Sequence, residues 1–198
     1  MAQERNIFKI KHNDIDPGKG RILISEPFLR DSYFQRAVVL LVEHTSEGSM
    51  GFVLNKRTDL IVNTFFAELK NMPDLPIYLG GPVSSHHLFF IHSLGAVLIP
   101  GAVNINENIY FGGSFDALKR YIHQGNAIEG KVKFFLGYSG WSEAQLIREA
   151  QVDSWLVSNS SNNDILLADG ESYWRNSIEL LGDQYKSWVN YPKNPELN

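Results

Sequence analysis

None of the 198 residues is cysteine, which removes disulfides, thiolate metal sites and cysteine nucleophiles in one step. That usage fits a reducing compartment. Long apolar runs are missing too: the longest strictly apolar stretch, Ala37 to Val42, has six residues, where a membrane-spanning helix needs about 20. The opening Met1-Ala2-Gln3-Glu4-Arg5-Asn6 has no apolar stretch behind a basic start, so no export signal is visible. A cytoplasmic protein without a membrane span is the expectation. Positive charge is scarce. Eighteen Lys plus Arg stand against 22 Asp plus Glu, for a net charge of −4, the wrong sign for a protein whose main partner is a polyphosphate. Direct nucleic-acid binding is therefore disfavoured. The imbalance is uneven: residues 1–57 carry 9 basic and 7 acidic side chains, and residues 58–198 carry 9 and 15, which leaves a basic face open to the first third.

What is present describes a globular domain, with 43% hydrophobic and 20% charged residues, 8 Pro and 16 Gly. No internal period, low-complexity tract or Pro/Ser-rich linker divides the chain. Residues 1–198 read as one domain, with 1–17 as a mobile lead-in closed by Asp16-Pro17-Gly18-Lys19-Gly20 and 183–198 as an aromatic tail.

Arg21 to Ser25 reads as a strand stopped by Pro27. Ala37 to Val42 is apolar on both faces, as a central strand covered on both sides should be. Thr45 to Ser49 is polar turn chemistry leading to Met50 to Leu54, a hairpin signal. Leu60 to Lys70 sets Ile61, Phe65 and Leu69 four apart and predicts a helix capped by Thr58 or Asp59. Further strands are expected at Ile77 to Leu79, Leu88 to His92, Asn108 to Phe111, Lys131 to Leu136 and Ser154 to Val157. Ser114 caps a second helix ended by Gly125. Gly137 to Trp141 reads as a tight turn, followed by a helix at Ser142 to Gln151 with Leu146, Ile147 and Ala150 inward. A last helix covers Glu171 to Leu181. Early hairpins and later β-turn-α units predict an α+β fold with a mixed sheet.

Several constellations resemble chemistry. Glu43 and His44 are an acid and an imidazole side by side, but consecutive strand residues point to opposite faces and cannot form a dyad. His86, His87 and His92 form the histidine cluster, and its spacing fails for metal: 86 and 92 share a face about 20 Å apart at 3.3 Å per residue. No metal and no cofactor is expected, since neither a phosphate loop nor a dinucleotide fingerprint is present. Gly137-Tyr138-Ser139-Gly140 invites comparison with a nucleophile elbow, yet position 141 holds Trp where that pattern requires Gly. Gly80-Gly81-Pro82 and Gly112-Gly113-Ser114 offer backbone N–H groups to an anion. Lys56-Arg57 beside Asn55 could grip a carboxylate or phosphate. The tail with Tyr185, Trp188 and Tyr191 must be covered, either by wrapping back over its own core or by joining a neighbouring subunit as a homodimer.

Gly20 to Pro27, Phe34 to His44, Gly48 to Lys56, Gly80 to Val83 and Gly137 to Trp141 with Gln145-Leu146 stand together in one order. In that combination the chain resembles the AlgH/YqgE-like family of small bacterial proteins over about residues 18–182. The resemblance implies a single α+β domain whose mixed, bifurcated sheet includes a small closed barrel and is surrounded by helices. It also brings the label of transcriptional regulator, with no direct mechanism attached. Two departures stand out: Arg57 replaces the family's usual Pro after Asn-Lys, and the tail with Trp188 is long. The family often has alanine at the position of Ser139.

The resulting expectation is a non-enzymatic binding or regulatory protein with no catalytic residues, acting indirectly through a protein or small-molecule partner. Its candidate patch is Glu43, His44, Asn55, Lys56, Gly80, Gly81, Pro82, Gly137, Tyr138, Ser139, Gly140 and Trp141, drawn from strand ends where loops converge. The alternatives are a hydrolase using Ser139 or a His44-activated water, and a direct nucleic-acid-binding regulator.

Overall fold

The computed structural model describes Asn13 and residues 15–142, 144–152, 154–159 and 162–193. The expected lead-in therefore lies mostly outside the described residues, as do the last five positions of the tail.

Among the described residues, ten strands form one sheet: β1 Arg21–Ser25, β2 Val38–Thr45, β3 Gly48–Val53, β4 Arg57–Ile61, β5 Pro76–Leu79, β6 Val83–His92, β7 Val103–Asn104, β8 Tyr110–Phe111, β9 Val132–Ser142 and β10 Trp155–Asn159. The main path runs β10-β1-β2-β3-β9-β6-β8-β7, with β4 and β5 branching from β9. All ladders are antiparallel except β5 with β9, so the sheet is mixed.

The fully apolar β2 is explained by the two cores it separates. Val38, Leu40 and Val42 point into one cluster with Ile22, Ile24, Phe52 and Phe135. Ala37, Val39 and Leu41 point into another with Leu23, Val53, Trp141 and Trp155. Strand geometry sends alternate side chains to opposite faces, so an uninterrupted apolar run is what a strand between two cores requires. A third core joins Ile77, Phe90, Val132 and Phe134 to Leu118 and Ile122.

Among the described residues, five helices cover these faces: α1 Gly95–Leu98, α2 Phe115–His123, α3 Gln145–Gln151, α4 Asn162–Leu167 and α5 Gly170–Leu180. Ser114 caps α2 as expected, its Oγ accepting from the Ala117 amide at 3.2 Å. The tail forms a 3₁₀ segment, Asp183–Asn190, whose Tyr185 and Trp188 are buried in the chain's own first core. α5 is held to the sheet by Arg36, whose guanidinium pairs with Glu171 and lies 5.1 Å from the centre of the Trp174 ring.

Three sequence expectations are corrected. Leu60 to Lys70 is not a helix. It is the end of β4 followed by short 3₁₀ turns at Val62–Thr64 and Ala67–Leu69. The Asn63 amide explains the break: it donates to the carbonyls of Leu69, Met72 and Pro73 and accepts from the Leu75 amide, so a side chain replaces helical bonding. Gly137 to Trp141 is not a turn, because β9 continues through it to Ser142. In α3, Leu146 is buried but Ile147 is exposed.

The sheet forks at β9. Residues Phe134 to Leu136 pair with β5 on one side and β6 on the other, whereas Ser139 to Ser142 pair with β3. The sheet curls as a half-barrel in place of the closed barrel implied by the resemblance. No ladder among the described residues joins β10 to β7. β7 is only two residues long, and the outer edge of β10 is taken by Asn13, which accepts from the Val157 amide at 2.9 Å and donates to the Val157 carbonyl.

Candidate functional site: a glycine crossing and a lysine cleft

The residues of the expected patch form a ridge with two ends. His44 pairs across with Ser49 and Ser49 with Trp141, while Glu43 pairs with Met50 and Met50 with Gly140. Glu43, His44, Gly140 and Trp141 therefore span three adjacent strands, a width of about 10 Å. The Gly80-Gly81-Pro82 segment crosses directly over Gly137 to Ser139. A Cβ on Gly81 would stand 2.3 Å from the Tyr138 carbonyl carbon, and one on Gly137, whose φ is +67°, would stand 2.5 Å from the Gly81 oxygen. Only glycine tolerates both that conformation and that approach. Asn55 and Lys56 lie elsewhere. Asn55 accepts from the amide of Val38, at the opposite end of β2 from His44, a run of about 20 Å at 3.3 Å per residue.

Most polar groups of the expected patch are already used. Asn55 is buried and also donates to the carbonyls of Arg36 and Gly170. Lys56 donates to the Ser32 carbonyl at 2.7 Å. Ser139 is fully buried, and its hydroxyl donates to the Gly80 carbonyl at 3.0 Å. His44 Nδ1 sits 2.7 Å from Ser49 Oγ. Trp141 and Trp155 both donate their indole N–H to Glu149. Glu43, Pro82 and Gly140 are exposed, and Tyr138 is half-buried. His92 is also internal, with Nε2 3.1 Å from the Gly112 carbonyl and Nδ1 accepting from the Leu94 amide. Burial lowers its pKa.

The other half of β9 behaves differently. A cavity of about 760 Å³ opens beside β5 and the start of β9, walled by apolar side chains that include Met72, Leu75, Ile122, Ile128 and Leu167. Lys133 and Tyr78 belong to its lining. Lys133 falls on the same face as Phe135 and is only 3% exposed. Its Nζ donates to the Ala168 carbonyl just beyond α4 and lies 3.3 Å from the centre of the Tyr78 ring. Burial pushes its pKa down to about 7; Asp169 pulls the other way and Arg57 adds to the depression. Burial, then the charge of Asp169, raises the Tyr78 hydroxyl. At the rim, Arg57 and Asp169 face each other at 3.9 Å with about half of each side chain exposed. The arrangement places one amine, its pKa pushed down by burial, in a mostly apolar chamber with Arg57 and Asp169 at its mouth.

The sequence reading missed this cleft. Its trace was a lysine inside the otherwise apolar run Val132 to Leu136, on the inward parity of Phe135. Arg57, a departure from the family pattern and one of the pair expected to grip a carboxylate or phosphate, stands at the rim opposite Asp169. Among the described residues, no three His, Cys, Asp or Glu side chains gather as a metal site.

Comparison with known proteins fits this frame. A family model described as AlgH-like matches residues 22–186. The chain belongs to the AlgH-like family. This AlgH-like chain is similar to a UPF0301 protein of Parabacteroides distasonis, 64% identical over the whole of both chains. It is 46% identical, again over both full lengths, to a UPF0301 protein of Bacteroides fragilis. Among solved structures, the AlgH protein of Pseudomonas aeruginosa matches with a TM-score of 0.68 and 26% identity, covering 92% of this chain and 98% of that one. A Corynebacterium diphtheriae protein matches in fold with a TM-score of 0.72 at 19% identity, covering 96% of this chain and 100% of that one. The AlgH-like fold thus extends over the cleft as well as the ridge.

Proposed function

We propose that this AlgH-like protein is a non-enzymatic, ligand-responsive binding protein, and that the cleft around Lys133 takes a small, mostly apolar organic molecule with one polar head. The single observation that carries this reading is the cavity itself: about 760 Å³, mostly apolar in its walls, with an amine and a few other polar groups in its lining. Such a volume and mixture suit a small-molecule site. The indirect regulatory role then follows from continuity, because β9 runs from Lys133 in the cleft to Gly140 and Trp141 on the ridge. A ligand that shifts the first half of the strand acts on the second, where the exposed Glu43, Pro82 and Gly140 offer a face to a protein partner. The absence of cysteine, and of any described helix long and apolar enough to cross a membrane, supports a place in the cytoplasm.

The hydrolase reading is weaker because the Ser139 hydroxyl is enclosed and donates to a backbone carbonyl, with no hydrogen bond to an imidazole among the described residues. Direct nucleic-acid binding meets a net charge of −4.

Titration of the full chain with 1-hexanol, followed by amide chemical shifts, tests the proposal. Shifts centred on Ile128, Val132 and Leu167 are expected. A response absent from the cleft, or spread evenly over the surface, defeats it.

A further inference from the structure

We infer that the cleft takes up an aldehyde or an unhindered ketone on an apolar chain and holds it reversibly as an imine on Lys133. The inference rests on the ligand-binding reading above and deepens it by naming the reactive group of the ligand.

The geometry carries it. An ammonium surrounded by water forms hydrogen bonds through all three protons. Inside the cleft, Lys133 has one carbonyl partner, that of Ala168, and beyond it the face of the Tyr78 ring. The Tyr78 face and the charge of Asp169 favour the ammonium, but burial among Ile122, Val132 and Leu167, with Arg57 at the mouth, penalises it more and favours the free amine. The pKa near 7 agrees with that setting. A neutral lysine amine in an apolar chamber is the form that attacks a carbonyl carbon.

The step balances without any further reagent. The Nζ lone pair attacks the carbonyl carbon, a C–N bond forms and the C=O π pair moves to oxygen. One proton passes from nitrogen to that oxygen to give the carbinolamine. A second proton converts the hydroxyl into leaving water, the nitrogen loses its last proton, and the net result is imine plus water. Both protons exchange with solvent at the mouth, where Asp169 holds a negative charge felt by Lys133 and Tyr78. Hydrolysis runs the same path backwards, so the adduct is a reversible signal with no net turnover. Arg57, opposite Asp169, sets the charge balance of the mouth.

The test uses the full chain, hexanal as probe and 1-hexanol as its non-condensing counterpart. The protein is incubated with hexanal and cyanoborohydride at pH 7, and the alkylated lysines are mapped by mass spectrometry. Lys131, exposed and two residues away, is the internal reference. Lys133 should be modified at least about tenfold more than Lys131, because a pKa near 7 leaves far more neutral amine than an ordinary lysine has. K133M should lose that product while its cleft amides still respond to 1-hexanol. Labelling of Lys133 no greater than that of Lys131 overturns the imine. If 1-hexanol still shifts the cleft amides in that case, the binding reading stands alone. If neither probe shifts them, both readings fall together.

Discussion

The two halves of β9 treat polar groups in opposite ways. Around Gly137 to Trp141, each buried polar side chain described above has a protein partner: Ser139 on Gly80, and the two indoles on Glu149. Around Lys133, among the described residues, an amine has one carbonyl and one ring in contact, with the charge of Asp169 beyond. The second half is rich in the glycine, serine and histidine patterns that resemble active sites, and its geometry uses them as scaffolding. The first half has no such pattern and holds the cavity. A motif dense in small residues marks where backbones cross closely, whereas a lone charge in an apolar strand marks where folding has accepted a cost.

That contrast can be broken at four places. The largest effect is expected from Gly137→Val, since its Cβ would stand 2.5 Å from the Gly81 oxygen at a φ of +67°. A loss of about 5 kcal/mol in urea unfolding, or no folded protein at all, is the expected result.

Lys133→Met comes next and shows itself through pH. The folded pKa near 7 lies below the unfolded value, so between the two the unfolded state binds a proton that the folded state does not. Wild-type stability relative to K133M should therefore rise by about 4 kcal/mol from pH 7 to pH 10, in the window set by Lys133 with Asp169, Arg57 and Tyr78 around it. A difference that stays flat across that range would remove the buried-amine account.

Glu171→Gln tests the clamp on α5. Burial alone would raise this carboxyl, but hydrogen bonds from Lys193, Arg175 and Arg36 hold it at about 2. Arg36 is almost fully enclosed. Removing the charge should cost about 2–3 kcal/mol at neutral pH. The wild-type contribution is complete above the ordinary carboxylate pKa and disappears as pH falls towards 2, so the two proteins should converge in acid.

Ser139→Ala has the smallest expected effect, about 1 kcal/mol, because it removes one hydrogen bond from a packed crossing. A much larger loss, accompanied by loss of any hydrolytic activity found in the wild type, would move the chemistry back to the ridge.

The strands were largely legible in the sequence. β1, β2, β5 and β10 lie where apolar runs and turn residues put them, because those runs are long enough to show their period. The 60–70 segment misled because Ile61, Phe65 and Leu69 fit a helical stripe, while Asn63 organises the chain through contacts with Leu69 to Leu75 that no local period reveals. Gly137 to Trp141 misled for a related reason: its glycines serve the crossing Gly80-Gly81-Pro82 segment, far away in sequence, and they look like turn residues in isolation. The cleft was hardest to see. Tyr78, Lys133 and Asp169 come from β5, β9 and the α4–α5 junction, and only the fold brings them together.

The Asn13 carboxamide occupies both backbone groups of Val157 on the rim strand β10. A free strand border is a zipper waiting for a second molecule. Here one side chain imitates a neighbouring peptide unit and fills a rung, so a foreign chain cannot register there without first evicting it. Shortening the chain past this residue would trade a sealed border for a sticky one.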